Sequence, residues 1–519
     1  MKDHAGQSIS VWMATATLPI FPPLAKNEHA DVCIVGAGIA GLSTAYLLGR
    51  AGKSVLVVDD GPIVSGETER TTAHLTTALD ERYFELERLH GEKGARLAAE
   101  SHAVAINQIE RIVAEEEIDC DFERLDGYLF SPPGESADIL DRELAAAHRA
   151  GLANVRMLAR SPLASFDTGP SLQFPRQAQF HPLKYLTALA EAIIRDGGRI
   201  YTHTHATDIE GGDPARIETR KGPVITADAV VVATNTPVND LMAIHTKQAA
   251  YRTFVIGAMV PSDSVSKGLY WDTPHPCHYV RLQSLPGNQH SSTAGDILIV
   301  GGEDHKTGQA DDAETRYLAL EQWARARFPM MKEIKFRWSG QVMEPIDGLA
   351  FIGPNPLDKE NVYIVTGDSG SGITHGTIAG ILLTDLIQGH DNAWASLYDP
   401  SRKTLCAIAR FAKENLNVAV QYADWLSAGD VEADVSLAPG TGAIVRRGLE
   451  KRAVYCDTVG KLHECSAICP HLGGIVAWNH SEKTWDCPCH GSRFNKFGKT
   501  LNGPANTDLS PVEDGPTPE

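Results

Sequence analysis

The chain has 519 residues, of which 43% are hydrophobic and 22% are charged, a composition typical of soluble globular enzymes. This length corresponds to about three domains. The 66 acidic residues outnumber the 47 basic residues, which gives a formal net charge of -19. Such a charge argues against nucleic acid and against an anionic membrane surface as binding partners.

The beginning of the chain and its cysteines bear on the cellular compartment. Residues 8–24 are mildly apolar, but Pro19, Pro22 and Pro23 interrupt them, and this argues against a secretory signal. No apolar run reaches the roughly 18 residues of a membrane-spanning helix. The nine cysteines do not form the pattern of a disulfide framework. We therefore expect a cytoplasmic protein that is not an integral membrane protein.

A strand, a glycine turn and a helix are predicted in succession from Asp31 onward. Gly36 permits the tight turn, Gly38 lets the backbone approach a pyrophosphate, and Gly41 lets helix and strand pack closely. The N-terminus of the helix would then face the phosphates with its partial positive charge. A second strand ends at Asp59, where a ribose hydroxyl needs an acceptor. The pattern predicts a dinucleotide site, with an ordinary glycine-rich turn as the alternative.

Two later segments favour FAD over NAD as the dinucleotide, and a third strand completes the set. Residues 65–74 directly follow the second strand, and residues 229–237 have the pattern of a third strand. Residues 361–376 again have the pattern of a strand, a glycine-rich turn and the start of a helix. The positive end of that helix can stabilise the negative charge of a reduced flavin ring.

Between the flavin segments lie two stretches, 83–175 and 245–338, that we expect to form a substrate domain. The second stretch contains two strand patterns, 278–282 and 295–305, which we expect to pair over one face of the flavin. An amine C–H bond held against a flavin passes hydride directly, so the reaction requires no dedicated general base.

The C-terminal region carries two cysteine-histidine pairs. Cys469-Pro-His471 is followed by Cys487-Pro-Cys-His490. In a Rieske [2Fe-2S] cluster two thiolates hold one iron and two imidazoles hold the other. A zinc site also uses two cysteines and two histidines, but the usual finger spacing differs from this one. The motif predicts a single-electron carrier with metal ligands Cys469, His471, Cys487 and His490.

Taken together, these motifs resemble two known families. Residues from about 30 to 390 resemble the D-amino-acid-oxidase (DAO, glycine-oxidase-like) family of flavoproteins, and the tail from about 436 resembles a Rieske ferredoxin domain. The resemblance implies an α/β Rossmann-like FAD-binding domain, an α+β substrate domain and a small all-β Rieske domain. The implied pieces are FAD-binding at 28–82, 176–244 and 339–390, substrate-domain at 83–175 and 245–338, a helical extension at 391–428, a linker at 429–442 and the Rieske domain at 443–519.

The resemblance also implies the residues that bind FAD. They are Gly36, Gly38, Ile39, Ala40, Gly41, Asp59, Asp60, Arg70, Thr71, Thr72, Ala73, Ala206, Ala233, Thr234, Gly340, Gly370, Gly372, Ile373 and Thr374. Some relatives bind the flavin covalently through a histidine or a cysteine, and these positions align with Arg70 and Gly340 here. Noncovalent FAD is therefore expected. His74 keeps a covalent link open as an alternative, and otherwise packs beside the flavin ring.

On the substrate side, Arg281 matches the arginine that clamps a substrate carboxylate in amino-acid-oxidising relatives. Tyr279 lies two residues away on the same face of the predicted strand. A structural ion pair is the alternative role for Arg281. With His74, these two residues are the candidate catalytic residues.

For the Rieske tail, the resemblance bears on the cluster potential. Respiratory members pair an extra cysteine in each cluster loop, whereas here Cys489 faces a predicted partner position occupied by Gly474. Ser492 is a candidate donor to a cluster sulfur, while Phe494 stands where high-potential members have a tyrosine. Hydrogen bonds to the sulfurs raise the potential, so we expect an intermediate value. Residues 503–505 resemble the proline loop that covers the cluster.

The leading hypothesis is a dehydrogenase for the C–N bond of an amine or amino acid, with a secondary or N-methylated substrate expected. FAD would take a hydride, and the cluster would pass electrons singly to an external acceptor, either a protein or a quinone-like molecule. One alternative is an oxygen-using oxidase with the cluster as a redox switch, and another is an electron-transfer module for a partner protein. A Rieske oxygenase also needs a mononuclear iron site; residues 272–278 offer one superficially, but Pro274 and Pro276 favour a loop there.

Overall fold

The computed structural model describes residues 5–239, 244–285, 295–426, 429–430, 437–448 and 450–512. Its α-helices are α1 (Val11–Thr15), α2 (Ile39–Arg50), α3 (Tyr83–Glu115), α4 (Asp138–Arg149), α5 (Pro182–Arg195), α6 (Ala313–Arg327), α7 (Gly372–Ile387), α8 (Ala395–Tyr398) and α9 (Ile408–Gln421). None of the helices in these ranges is long and apolar enough to cross a membrane.

The strands fall into a larger set in the flavoprotein body and a smaller set near the C-terminus. The body contains β1 (Glu28–Val35), β2 (Val55–Val58), β3 (His74–Leu75), β4 (Glu123–Phe130), β5 (Arg156–Leu158), β6 (Ser171–Gln179), β7 (Arg199–Tyr201), β8 (Ala206–Glu210), β9 (Ala215–Thr219), β10 (Val224–Val232), β11 (Gln248–Pro261), β12 (Leu269–Asp272), β13 (Tyr279–Ser284), β14 (Gly295–Lys306), β15 (Ile334–Pro345), β16 (Phe351–Pro354) and β17 (Val362–Thr366). The C-terminal part contains β18 (Gly442–Arg447), β19 (Glu450–Cys456), β20 (Leu462–Ser466), β21 (Ala477–Asn479), β22 (Thr484–Asp486), β23 (Arg493–Asn495) and β24 (Thr500–Asn502).

The first sheet of the body has eight strands in the order β16-β17-β10-β1-β2-β7, with β8 and β9 attached beside β10. Strands β17, β10, β1, β2 and β7 run parallel. All four residues of β2 are buried, as expected for a parallel strand covered on both faces. Helix α2 packs against α5 and α7. This is the Rossmann-like α/β layer that the sequence predicts, and its carboxyl edge carries the glycine turn.

The second sheet has nine strands in the order β15-β11-β14-β13-β12-β4-β6-β3, and β5 pairs with β6. Strands β13 and β14 pair antiparallel, which confirms the pairing expected for residues 278–282 and 295–305. Strand β15 also belongs to this sheet. The predicted boundary between substrate and FAD-binding pieces at 338/339 therefore falls inside one continuous strand.

The helical predictions differ in how they turn out. The helix-period sequence 83–117 forms α3, which contains a kink at Gly91, where φ is 72°. The predicted helical extension 391–428 is not one helix but contains the short α8 and the longer α9. Of the predicted linker 429–442, residues 431–436 lie outside the described residues.

The C-terminal part consists of a three-stranded sheet (β18–β20) and a four-stranded sheet (β21–β24). All of their pairings are antiparallel, which matches the expected small all-β domain. The first predicted cluster loop lies between β20 and β21, and the second lies between β22 and β23.

A buried group of charges joins the C-terminal domain to the flavoprotein body. Glu482 lies 3.4 Å from Arg70 and 3.3 Å from Arg252, and its carboxylate is fully buried. The hydroxyls of Ser8 and Ser339 donate to the same carboxylate, each over 2.5 Å. The N-terminal segment thus passes between the two parts of the molecule and contributes to the interface.

The arginines of this group stabilise the ionised form of Glu482. Burial by itself raises the pKa of Glu482, but the positive charges of Arg70, Arg252 and Arg493 outweigh it, so the pKa lies well below the usual range. Removing one partner of such a buried pair leaves an uncompensated charge, at a cost of about 3–5 kcal/mol. The network therefore specifies one relative position of the two parts.

Candidate active site and redox centre

A cavity of about 740 Å³ lies between the two sheets of the body and the C-terminal domain. Its size is that of a cofactor or ligand site. One wall is formed by the glycine turn after β1, the end of β2 and the beginning of α7, and another by β11–β15 of the second sheet. Residues 500–503, 505 and 506 of the C-terminal domain complete it.

The glycine turn has the close contacts that the motif requires. A Cβ atom on Gly41 would lie 1.8 Å from the carbonyl oxygen of Gly36, so only glycine fits where α2 meets β1. Gly36 itself has a φ of 109°, a region that favours glycine. At the end of β2, the Asp59 carboxylate accepts hydrogen bonds from the amides of Ala37 and Gly61, both at 2.8 Å. These bonds orient the acid beside the turn.

Helix α7 begins at the same cavity as α2. A Cβ atom on Gly376 would lie 3.0 Å from the backbone nitrogen of Ala40, and one on Gly380 would lie 2.9 Å from the backbone of Ser43. The close approach places both helix N-termini at the cavity, where their partial positive charges favour anionic groups. Cβ atoms at these glycines would fill the turn and the contact between α2 and α7. Since glycine has none, the wall keeps the backbone shape that a dinucleotide needs, and FAD fits it.

Most of the residues predicted to bind FAD line the cavity. They are Gly36, Gly38, Ile39, Ala40, Asp59, Asp60, Arg70, Thr71, Thr72, Ala206, Ala233, Thr234, Gly340, Gly370, Gly372 and Ile373. The other three residues, Gly41, Ala73 and Thr374, are buried behind this wall. These three residues pack behind the cavity surface and support the backbone that forms the site.

The two positions aligned with covalent attachment sites lie side by side. A Cβ atom on Gly340 would be 3.4 Å from the Arg70 Cβ. The Arg70 guanidinium donates to the carbonyl oxygen of Ser339 over 2.9 Å and pairs with Glu482. Arg70 thus connects the flavin segment to the C-terminal domain.

His74 and Tyr279 both line the cavity, with ring centroids 5.9 Å apart and the rings perpendicular. The Tyr279 hydroxyl shares a 2.6 Å hydrogen bond with Thr253. Burial, with a smaller effect from Arg281, lowers the pKa of His74 to about 3, so this imidazole is neutral at pH 7. Both residues thus lie in the cavity, and their contacts with flavin or substrate stay predictions.

Arg281 does not line the cavity, which favours the alternative, structural role for it over the predicted substrate contact. Its Nη1 donates to the carbonyl oxygens of Thr72 and Ala73 over 3.2 and 2.9 Å. The guanidinium also lies over the Trp12 ring, 5.1 Å from the centroid. The Arg281 side chain lies on the same face of the strand as Tyr279 but packs behind residues 72 and 73. It supports this part of the backbone and is unavailable as a carboxylate clamp.

Four further carboxylates line the cavity. They come from four separate parts of the chain and are Asp80, Asp304, Glu344 and Asp368. Positive charges act on two of them without outweighing burial: Arg82 acts on Asp80, and Arg316 acts on Asp304. Their hydrogen-bond partners are neutral: Ser369 donates to Glu344 over 2.9 Å, the amide of Met343 donates to Asp368 over 2.9 Å, and the Thr253 hydroxyl bonds to Asp304.

Burial raises the pKa of each of these carboxylates. The pKa of Asp80 is raised to about 6 and that of Asp368 to about 7. The pKa values of Asp304 and Glu344 are raised as well, for Glu344 with added repulsion from Asp80 and Asp368. The shifts show that negative charge on these four groups is costly at their buried positions, and a positively charged ligand beside them would favour their ionised forms.

The four predicted cluster ligands are brought together as two pairs. The thiols of Cys469 and Cys487 lie within hydrogen-bonding distance of each other, and the imidazole centroids of His471 and His490 are 5.1 Å apart. Within the described ranges, no three His, Cys, Asp or Glu side chains converge on one point. A thiolate pair beside an imidazole pair is the donor arrangement of a cluster whose two irons each take two protein ligands.

The surroundings of these ligands agree with the expectations for the Rieske tail. A Cβ atom on Gly474 would lie 2.6 Å from the Cys489 sulfur, so Gly474 does occupy the position opposite Cys489. The Ser492 hydroxyl lies within hydrogen-bonding distance of the Cys469 sulfur and accepts from the amide of Ala505 over 3.0 Å. The Phe494 ring is fully buried and brings no hydroxyl.

The histidine pair faces the flavoprotein body. The ring of His245, just before β11, lies edge-on to His471 with centroids 4.9 Å apart and to His490 at 6.3 Å. On the thiolate side, Gln341 of β15 donates to the carbonyl oxygen of Gly491 over 3.0 Å. Since Gln341 also lines the cavity, one side chain connects the cavity to the second cluster loop.

Comparison with known proteins agrees with both parts of this architecture. A family model described as FAD dependent oxidoreductase (DAO) matches residues 31–386, and one described as Rieske [2Fe-2S] domain matches residues 428–513. The chain therefore belongs to the DAO family of FAD-dependent oxidoreductases and carries a C-terminal Rieske domain. It is an oxidoreductase whose cofactors are FAD and a [2Fe-2S] cluster.

Among its relatives, the "Putative Rieske 2Fe-2S iron-sulfur protein YhfW" of Bacillus subtilis (strain 168) is 32% identical over 505 residues, covering 97% of each chain. Gamma-glutamylputrescine oxidoreductase of Escherichia coli (strain K12) is 27% identical over 376 residues, 71% of this chain and 86% of the relative. Glycine oxidase from Geobacillus kaustophilus superposes with a TM-score of 0.58 at 19% identity, covering 72% of this chain and 99% of the other. This last likeness shows the fold.

Proposed function

We propose that the chain is a dehydrogenase for the C–N bond of a cationic amine, and that its electrons leave one at a time through the Rieske domain to an external acceptor. A secondary or N-methylated amine is the expected substrate. The observation that carries the proposal is the set of four carboxylates that line the cavity beside the Rieske domain.

The charge of the cavity supports an amine over an amino acid. An ammonium group would pair with the cavity-lining carboxylates of Asp80, Asp304, Glu344 and Asp368, whereas the carboxylate of an amino acid would be repelled by their ionised forms. The arginine expected to hold such a carboxylate, Arg281, is engaged with backbone carbonyls. The gamma-glutamylputrescine oxidoreductase among the relatives is also consistent with an amine substrate.

The residues around the reaction have separable tasks. Tyr279, His74 and Trp271 offer aromatic surface to the substrate, with His74 and Trp271 centroids 5.6 Å apart, and aromatic faces attract ammonium groups. The carboxylates hold the cation, and one with a pKa near 7, Asp368, can accept the proton that the amine loses before its C–H bond reacts. When bound, FAD supplies the hydride acceptor and the cluster supplies the one-electron carrier.

Electron transfer within one chain is supported by the contact between the two parts. His245 of the body contacts both predicted histidine ligands, and residues 500–506 adjoin both the cavity and the cluster loops. The buried pair of Arg70 and Glu482 keeps these surfaces in place. A flavin in the cavity would therefore lie close to the cluster that receives its electrons.

The test is an anaerobic titration of the holoenzyme with three groups of compounds: N-methylated amines, polyamines and amino acids. Flavin absorbance and the EPR signal of the reduced Rieske cluster are followed together. The proposal predicts that amines bleach the flavin and that the cluster signal follows, while amino acids do neither. Bleaching with a cluster that stays oxidised in the absence of oxygen would contradict the electron route. Reduction by amino acids alone would contradict the substrate class.

A further inference from the structure

The Rieske domain contributes a wall to the cavity in which FAD fits. Residues 500–506, which we call the closing segment, run from β24 into the loop that follows it. All of them except Pro504 line the cavity, together with Gly36, Gly38 and Ala40 of the glycine turn. A segment of the iron-sulfur domain thus faces the dinucleotide-binding turn across the same space.

Hydrogen bonds hold both ends of the closing segment to the flavoprotein body. At one end, Asn506 Nδ2 donates to the carbonyl oxygens of Ala206 and Thr207 over 3.0 and 3.2 Å. At the other end, Asn502 Nδ2 donates to the Glu67 carboxylate over 3.0 Å. Because Ala206 and Glu67 both line the cavity, these bonds fasten the segment directly to the walls of the FAD site.

The middle of the segment fits closely and touches the cluster loops. A Cβ atom on Gly503 would lie 3.2 Å from both the Thr236 carbonyl oxygen and the Val238 side chain. The amide of Ala505 donates to the Ser492 hydroxyl over 3.0 Å, and that hydroxyl also reaches the Cys469 sulfur. The same short segment therefore contacts the flavin cavity on one side and the cluster surroundings on the other.

We infer that the closing segment is part of the FAD site, so that FAD binding and docking of the Rieske domain are coupled. Without the closing segment, the cavity would be open on the side where this segment now lies. When the Rieske domain is docked, Asn502 and Asn506 hold the closing segment over the cavity, which slows the dissociation of FAD. The coupling is reciprocal by thermodynamic linkage: bound FAD stabilises the docked domain by the same factor by which docking tightens FAD binding.

The inference is tested on the full chain, deflavinated but still holding its cluster, by titration with FAD. Asn506→Ala removes the two bonds to Ala206 and Thr207, and should weaken FAD binding by about tenfold. Thr507→Ala is the matched control, since Thr507 is the next residue, is exposed, and does not line the cavity. It should leave the FAD dissociation constant unchanged. The visible circular dichroism of the cluster reports whether each variant is folded.

A second measurement uses the wild-type chain and needs no substitution. When the protein is heated, FAD should raise the temperature at which the cluster signal is lost, and this protection should shrink in Asn506→Ala. If Asn506→Ala fails to hold its cluster, Asn502→Ala tests the other end of the segment in the same way. The inference is overturned if a folded variant binds FAD as tightly as the wild type, or if FAD does not protect the wild-type cluster. Neither readout depends on the substrate, so the outcome is independent of the proposed function.

Discussion

The two walls of the cavity differ in charge and in how the chain builds them. The wall at the carboxyl edge of the first sheet consists of glycines and the N-termini of α2 and α7, and it favours the phosphates of FAD. The wall on the second sheet, with its neighbouring loops, carries Asp80, Asp304 and Glu344 and favours a cation, and Asp368 joins them from the loop between β17 and α7. One cavity thus has a cofactor side suited to anions and a substrate side suited to an amine, and substitutions can separate the two.

The largest effect is expected on the cofactor side, from Gly41→Ala. The new Cβ would lie 1.8 Å from the carbonyl oxygen of Gly36, and such overpacking against backbone costs on the order of 3 kcal/mol. We expect the purified protein to lose FAD, with affinity lowered by roughly 100-fold, as measured by the flavin content per chain.

Gly49→Ala is the control for this substitution, because it lies on the same helix and its Cβ would meet only Val55, at 4.0 Å. This variant should retain FAD, and the gain in helix propensity should make it slightly more stable. Normal flavin content in Gly41→Ala would show that the close contact is not what shapes the cofactor side.

On the substrate side, Asp304→Asn keeps the shape of the side chain and removes one negative charge. We expect the KM for a cationic amine to rise by about tenfold, with FAD content unchanged, because Asp304 lies on β14, away from the glycine turn. Steady-state kinetics with an artificial electron acceptor measure this effect.

Glu303→Gln is the matched control, since this neighbouring residue does not line the cavity. Glu303→Gln also removes one negative charge, but from the residue next to Asp304 in the chain. An equal rise in KM in both variants would indicate a general effect of net charge and would count against a cation site at Asp304.

A smaller effect is expected from pH. Burial raises the pKa of Asp80 to about 6 and that of Asp368 to about 7, so these groups gain their negative charge as the pH rises through this range. The affinity for a quaternary ammonium inhibitor, whose own charge is constant, should therefore increase several-fold from pH 5 to pH 8. Asp368→Asn should remove the part of this increase near pH 7, and a flat profile in the wild type would contradict the prediction.

The same shifts set the sign of the pH dependence of stability. Both pKa values in the folded chain lie above the ordinary value of 3.8. The stability contributed by these two groups is thus fully present below that value and is lost as the pH rises through about 6 and 7. Thermal unfolding without ligand should show this loss, and a bound cation should offset it.

The features that the sequence predicts well are local in the chain. The glycine turn at 36–41 works through contacts within one strand-turn-helix unit, and the cluster ligands come from two short motifs, so spacing alone indicates their chemistry. The family, the fold class, both cofactors and the oxidoreductase activity follow from such motifs and are confirmed. The individual ligand and FAD contacts, although placed at the expected sites, stay predictions.

The features that the sequence could not supply depend on distant segments. Strand alternation correctly put Arg281 and Tyr279 on one face, but it could not say that Arg281 reaches the carbonyls of Thr72 and Ala73 while Tyr279 faces the cavity. Nor does the sequence distinguish Asp304, which lines the cavity, from the neighbouring Glu303, which does not. Such distinctions arise from which segments pack behind each strand.

The sequence by itself thus determined a flavin-binding α/β body, a Rieske domain and the residue types that hold two cofactors, because each depends on short-range spacing. The tertiary structure alone decided the charge of the substrate side and the position of the Rieske domain. The physical reason is that contacts between segments hundreds of residues apart decide whether a carboxylate lies beside a counter-charge. Glu344 lies far from one, whereas Glu482 lies among Arg70, Arg252 and Arg493.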